Sequence, residues 1–76
     1  MGITDVVEIE THDNGKNGKL GVDNHELNYT ILNGEPELTY VGLRTPNKYS
    51  GISEQEAIKI AQMYVADVIS PAYVPY

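Results

Sequence analysis

The 76 residues carry eleven Asp and Glu against five Lys and Arg, a formal net charge of −6, with no Cys and 41% apolar residues. A chain of this length buries only roughly 60% of the surface it exposes when unfolded, so one small domain, 1–76, is expected. The absence of Cys excludes disulfides and thiolate metal sites. The acidic balance argues against nucleic acid or an anionic membrane as a direct partner, because no basic footprint is present to neutralise phosphates.

The N-terminal MGITDVVEIE has neither a basic region nor a long apolar segment, so it does not read as a signal peptide. Gly2 does not read as a myristoylation site, since position 6 is Val where that motif takes Ser or Thr. No apolar run approaches the ~20 residues needed to span a bilayer. A soluble, cytoplasmic protein is the expectation.

Residues 5–12, DVVEIETH, mix β-formers with carboxylates. Val7, Ile9 and Thr11 fall on one face and Val6, Glu8 and Glu10 on the other, the pattern of a half-buried strand. The stretch that follows, HDNGKNGKLGVDNHE, invites a metal reading. Aligned with a calcium loop of the EF-hand kind, Asp13 takes position 1, Asn17 position 5, Gly18 the central glycine and Leu20 the apolar position. However, Gly15 stands where the third-position ligand belongs and Asn24 where the bidentate carboxylate belongs. A transition-metal site would have to gather His12 and His25 with Asp13 or Asp23, but histidines at strand ends read as solvated turn residues. The preferred reading is a hairpin loop without metal. Asn14-Gly15 and Asn17-Gly18 supply positive φ, and Asp23-Asn24 makes a second tight turn between strands 19–22 and 25–32. Leu20 then lies opposite Leu27, and Val22 opposite His25.

HELNYTIL, 25–32, alternates again, with Leu27, Tyr29 and Ile31 on one face. Asn33-Gly34 is the strongest short signal for a two-residue type I′ turn. It sets Leu32 against Glu35, Ile31 against Pro36, Tyr29 against Leu38 and Leu27 against Tyr40 in a strand over 35–43. Thr30 meets Glu37 and Asn28 meets Thr39 on the other face. Pro36 marks an edge strand, and the slip in alternation at Val41 and Leu43 predicts a bulge.

A helix is expected over 53–69. Ser53 is its N-cap, Glu56 completes a capping box, and Ile52 can staple onto Ala57. Ala57, Ile58, Ala61, Tyr64, Val65, Val68 and Ile69 form its apolar stripe. Pro71 should stop it by pushing Ser70 out of the α region, leaving an extended Pro/Tyr tail at 70–76.

The fold class is therefore α+β: a small antiparallel β-meander of three to four strands with one C-terminal helix packed on one face. No catalytic constellation is present, since the serines lie far in sequence from both histidines and the carboxylates sit on an open face; neither enzyme activity nor a cofactor is expected. Two surfaces remain. The sheet face opposite the helix should carry Glu8, Glu10, Glu26, Glu35 and Glu37, a platform for a protein with a basic surface, standing in for phosphates in its nucleic-acid groove. Ile60 and Met63, with Tyr73 and Tyr76 of the tail, form a second, apolar contact surface, covered by the tail itself, by a partner or by a second copy.

The pattern resembles short accessory proteins of phages and mobile elements, among them inhibitors of host nucleic-acid enzymes, acting in the host cytoplasm. That resemblance is one of type and not of motif. It implies an inhibitor or modulator; the alternative is a structural subunit of a virion or other assembly, using the edge strand and tail as contacts.

Overall fold

The computed structural model describes residues 6–45 and 51–72. Four antiparallel strands run in sequence order: β1 (Val6–His12), β2 (Asn17–Val22), β3 (His25–Leu32) and β4 (Glu35–Leu43). Helix α1 (Glu54–Tyr64) follows and packs across one face of this meander. The beginning of the first strand at Asp5 and the tail residues Tyr73 and Tyr76 lie outside the described residues.

The β3–β4 ladder has the register that the Asn33-Gly34 turn demands. Leu32 pairs with Glu35, Ile31 with Pro36, Tyr29 with Leu38 and Leu27 with Tyr40. Asn33 and Gly34 take φ of 53° and 80°, the positive pair of a type I′ turn. Glu26 then pairs with Gly42, so Val41 is the extra residue of the expected bulge.

The core joins Leu20, Val22, Leu27, Tyr29 and Ile31 of the sheet to Ala57, Ala61, Val65 and Ile69. Ala57 and Ala61 are fully buried, and their small side chains let the helix axis approach the sheet closely. Tyr29 also reaches the β1–β2 loop, donating to the Gly15 carbonyl at 3.3 Å. Burial, and then the Glu8 charge, pushes its phenol above the ordinary range.

Four expectations are corrected. First, β2 begins at Asn17 rather than Lys19, because Asn17 and Gly18 pair with His12 and Thr11. Neither Asn17 nor Gly18 has positive φ; in that loop the left-handed residues are Asp13, Asn14 and Gly15. Gly18 is needed for close approach instead, since a Cβ there would be driven into the Glu10 carbonyl oxygen and against the Tyr29 ring.

Second, the helix does not end before Pro71. Its α-helical part gives way to a π-helical turn, Val65–Ile69, and then to a last α-helical turn, Ser70–Ala72. Ser70 keeps helical angles (φ −58°, ψ −42°), and its N–H bonds the Val65 carbonyl five residues back. A helical Pro collides with the carbonyl four residues before it, and widening the preceding turn relieves that collision. The wider turn also explains the third correction. A four-residue step in an α-helix overshoots a full turn by about 40°, so the buried series Ala57, Ala61, Val65, Ile69 would drift off the sheet without it. Val68 is turned outward and stands 50% exposed.

Fourth, His25 is not a solvated turn residue. It is 4% exposed, with Nδ1 2.7 Å from the Tyr40 hydroxyl and Nε2 2.9 Å from the Ile52 carbonyl. A carbonyl only accepts, so Nε2 carries the proton, and in the neutral ring Tyr40 donates to Nδ1. The two residues before it also hold the chain entering the helix. Asp23 accepts from the Gly51 N–H at 2.8 Å, and Asn24 donates from Nδ2 to the Thr45 carbonyl at 3.1 Å. Three consecutive side chains therefore fasten the β4–α1 connection.

Candidate functional site

No helix or strand among the described residues lies over the face of the sheet opposite α1, and the strand registers order it into cross-strand rows. One row reads His12, Asn17, Thr30, Glu37; the next reads Glu10, Lys19, Asn28, Thr39; the third reads Val7, Gly21, Glu26, Gly42. Leu32 and Glu35 close the hairpin end. Asn17, Asn28 and Thr30 lie on the two central strands of this surface, together with the charged pair Lys19 and Glu26.

Four of the five expected carboxylates gather here: Glu10, Glu26, Glu35 and Glu37. Glu8 does not, and the reason is a bulge in β1. Glu8 pairs with Leu20 and Glu10 with Lys19, so Ile9 is an extra residue. One inserted residue exchanges the faces of everything beyond it. Val6 and Glu8 accordingly lie on the helix side, where the Tyr64 hydroxyl donates to Glu8 Oε2 at 2.6 Å. The expected grouping of Val6, Glu8 and Glu10 on one face is therefore broken between Glu8 and Glu10.

The open face also holds cations. Lys19 Nζ lies 3.3 Å from Glu26 and 3.5 Å from Glu10, bridging the two carboxylates. A hydrogen bond and the charge of Glu26, reinforced by Glu10, raise the Lys19 ammonium above its ordinary range. Arg44 lies over Gly21, where an added Cβ would stand 2.7 Å from Nη1 and 3.3 Å from Cδ. The β1–β2–β3 part of the face is thus close to charge balance, while Glu35 and Glu37 have no ion-pair partner among the described residues. The acidic character is concentrated at the β3–β4 hairpin.

A shallow depression of about 270 Å³ opens on this face, lined in part by Glu10, His12, Asn17, Lys19, Asn28 and Thr30. His12 Nε2 stands 3.7 Å from Glu10. Asn17 donates to Asp13 at 3.0 Å, which brings together two of the would-be calcium ligands. Among the described residues, though, no three His, Cys, Asp or Glu side chains converge as a metal site.

The second candidate surface divides. Ile60 is half-buried against the core, whereas Met63 is 60% exposed and stands on the outer side of α1. No helix among the described residues is long and apolar enough to cross a membrane.

Sequence reasoning missed Lys19 and Arg44 as members of the open face. Lys19 was legible, since pairing Leu20 with Leu27 puts its neighbour on the opposite side. Arg44 was not, because it lies beyond the bulge. The chain matches no protein-family model, no curated protein and no solved structure.

Proposed function

We propose that this chain is a small acidic protein-binding module, an inhibitor or modulator of a basic, nucleic-acid-handling protein, of the kind encoded by phages and mobile elements. The observation that carries this reading is the sheet face opposite α1, with Glu10, Glu26, Glu35 and Glu37 upon it. Carboxylates along this face complement a basic surface in sign, and such complementarity sets on-rate and specificity. Glu35 and Glu37, which no cation neutralises among the described residues, make first contact. Glu10 and Glu26 already share Lys19 and contribute less.

Affinity capture from cells tests this reading. The captured protein is basic, is released by added DNA or RNA fragments, and binds less tightly as salt rises, because exposed charges are screened over ~10 Å at 0.1 M. A neutral or acidic prey that survives high salt and nucleic-acid competition argues for the alternative, a structural subunit of an assembly. That alternative is favoured by one observation, the exposure of Met63 and Val68 on the outer side of the helix.

A further inference from the structure

Three Asn-Gly pairs occur, at Asn14-Gly15, Asn17-Gly18 and Asn33-Gly34, and the fold treats each differently. In such a pair the glycine nitrogen can reach the Asn side-chain carbonyl carbon, because no Cβ stands in the way. Asn17 is held in β2, its amide donating to Asp13, and Gly18 is wedged between the Glu10 carbonyl and the Tyr29 ring. Gly15 is half-buried, with its carbonyl accepting from Tyr29 and Ile69 packed beside it. Asn33 and Gly34 are both exposed, and nothing lies within 4 Å of where a Gly34 Cβ would point. In a two-residue turn the closing bond runs from the first carbonyl to the fourth N–H, so the Gly34 N–H has no ladder bond to give up.

We propose that Asn33 is a site of spontaneous deamidation in the folded protein, a covalent change that alters the charge of the hairpin end. The Gly34 nitrogen, giving its proton to solvent base, attacks Asn33 Cγ. The new C–N bond forms, the bond to the side-chain nitrogen breaks, and that nitrogen takes a proton from the solvent and leaves as ammonia. Water then opens the cyclic imide at either carbonyl, breaking one bond to the Gly34 nitrogen, which recovers a proton. One water is consumed and one ammonia released. Opening on the Cγ side leaves an aspartate at position 33, a third carboxylate beside Glu35 and Glu37. Opening on the other side gives isoaspartate, which adds Cβ to the main chain and lengthens the turn that sets the β3–β4 register.

The experiment is a time course of the wild-type chain in mildly alkaline buffer, folded and in denaturant, read by peptide mapping that separates asparagine, aspartate and isoaspartate. In the folded protein Asn33 converts first, and Asn17 keeps its amide. In denaturant the difference between the three sites collapses. Conversion of Asn17 as fast as Asn33 in the folded protein overturns the assignment, as does an Asn33 that stays intact while Asn14 reacts. Gly34→Ala, which places a Cβ against the attacking nitrogen, slows the Asn33 reaction; an unchanged rate would also overturn it.

Discussion

The Tyr64 hydroxyl donates a 2.6 Å hydrogen bond to the Glu8 carboxylate, fastening the last residue of α1 to the outer strand of the sheet. That hydrogen bond, with burial and the Glu8 charge after it, pushes the Tyr64 phenol from 10.0 up to about 12. The protonated phenol is the form that donates, so the folded pKa exceeds the unfolded one. The stabilisation is complete below pH 10.0 and is lost as pH rises through about 12. Tyr64→Phe is expected to cost about 0.5–1.5 kcal/mol near neutrality. Its deficit against wild type should vanish at strongly alkaline pH, as measured by urea midpoints across the range. A deficit that stays constant would mean the Glu8 contact contributes nothing.

The turn that clasps the helix connection gives the second expectation. His25→Leu removes both ring nitrogens and leaves the Tyr40 hydroxyl and the Ile52 carbonyl without that partner. Losing these two hydrogen bonds costs about 1–3 kcal/mol. Equilibrium denaturation should show this loss with an unchanged m-value. A midpoint equal to wild type would show that water replaces the ring freely.

Ser53 offers a cleaner local test. Its Oγ accepts from the Glu56 N–H at 3.1 Å, satisfying one of the four amides orphaned at a helix start. Ser53→Ala should lower stability by about 1 kcal/mol, and Ser53→Asp should retain most of it. Equal losses for both variants would place the helix start elsewhere.

Metal should leave the protein unmoved. Asp13 and Asn17 bond each other, and among the described residues no third ligand joins them. Millimolar calcium or zinc should leave the melting temperature where it was, since only a ligand that binds the folded state raises it. A rise of several degrees would restore the metal-loop reading.

How much of this was legible in the sequence depended on whether a residue's surroundings were local. Asn33-Gly34 pins two strands to each other, so every β3–β4 pair down to Leu27 and Tyr40 follows from counting outward. Ser53 and Glu56 likewise define the helix start within four residues. The face of Glu8 was not legible, because Val6, Val7 and Ile9 make both faces of β1 apolar and only pairing with β2 reveals the bulge at Ile9. Nor were the further roles of Asp23 and Asn24, which read as a tight turn alone, or of His25, which read as a solvated turn residue, until the connection to the helix returns across them. Pro71 misled for a related reason: its local preference to end a helix was overridden by the widened turn before it. Within the candidate site, alternation brought Glu26, Glu35 and Glu37 together correctly, and it failed at Glu8 where the bulge broke the period.

The most direct measurement compares two double charge reversals in binding to the captured partner. Glu35→Lys with Glu37→Lys changes the hairpin end of the open face, while Glu54→Lys with Asp67→Lys changes the helix. Each Glu→Lys or Asp→Lys raises the charge by two, so both variants move from −6 to −6 + 4 = −2. Exposed positions of this kind shift stability only slightly. An acidic docking face predicts that the first pair abolishes binding and the second leaves it near wild type. Equal weakening by both pairs, or binding that survives the first and is lost when Met63 and Val68 are made polar, would contradict it.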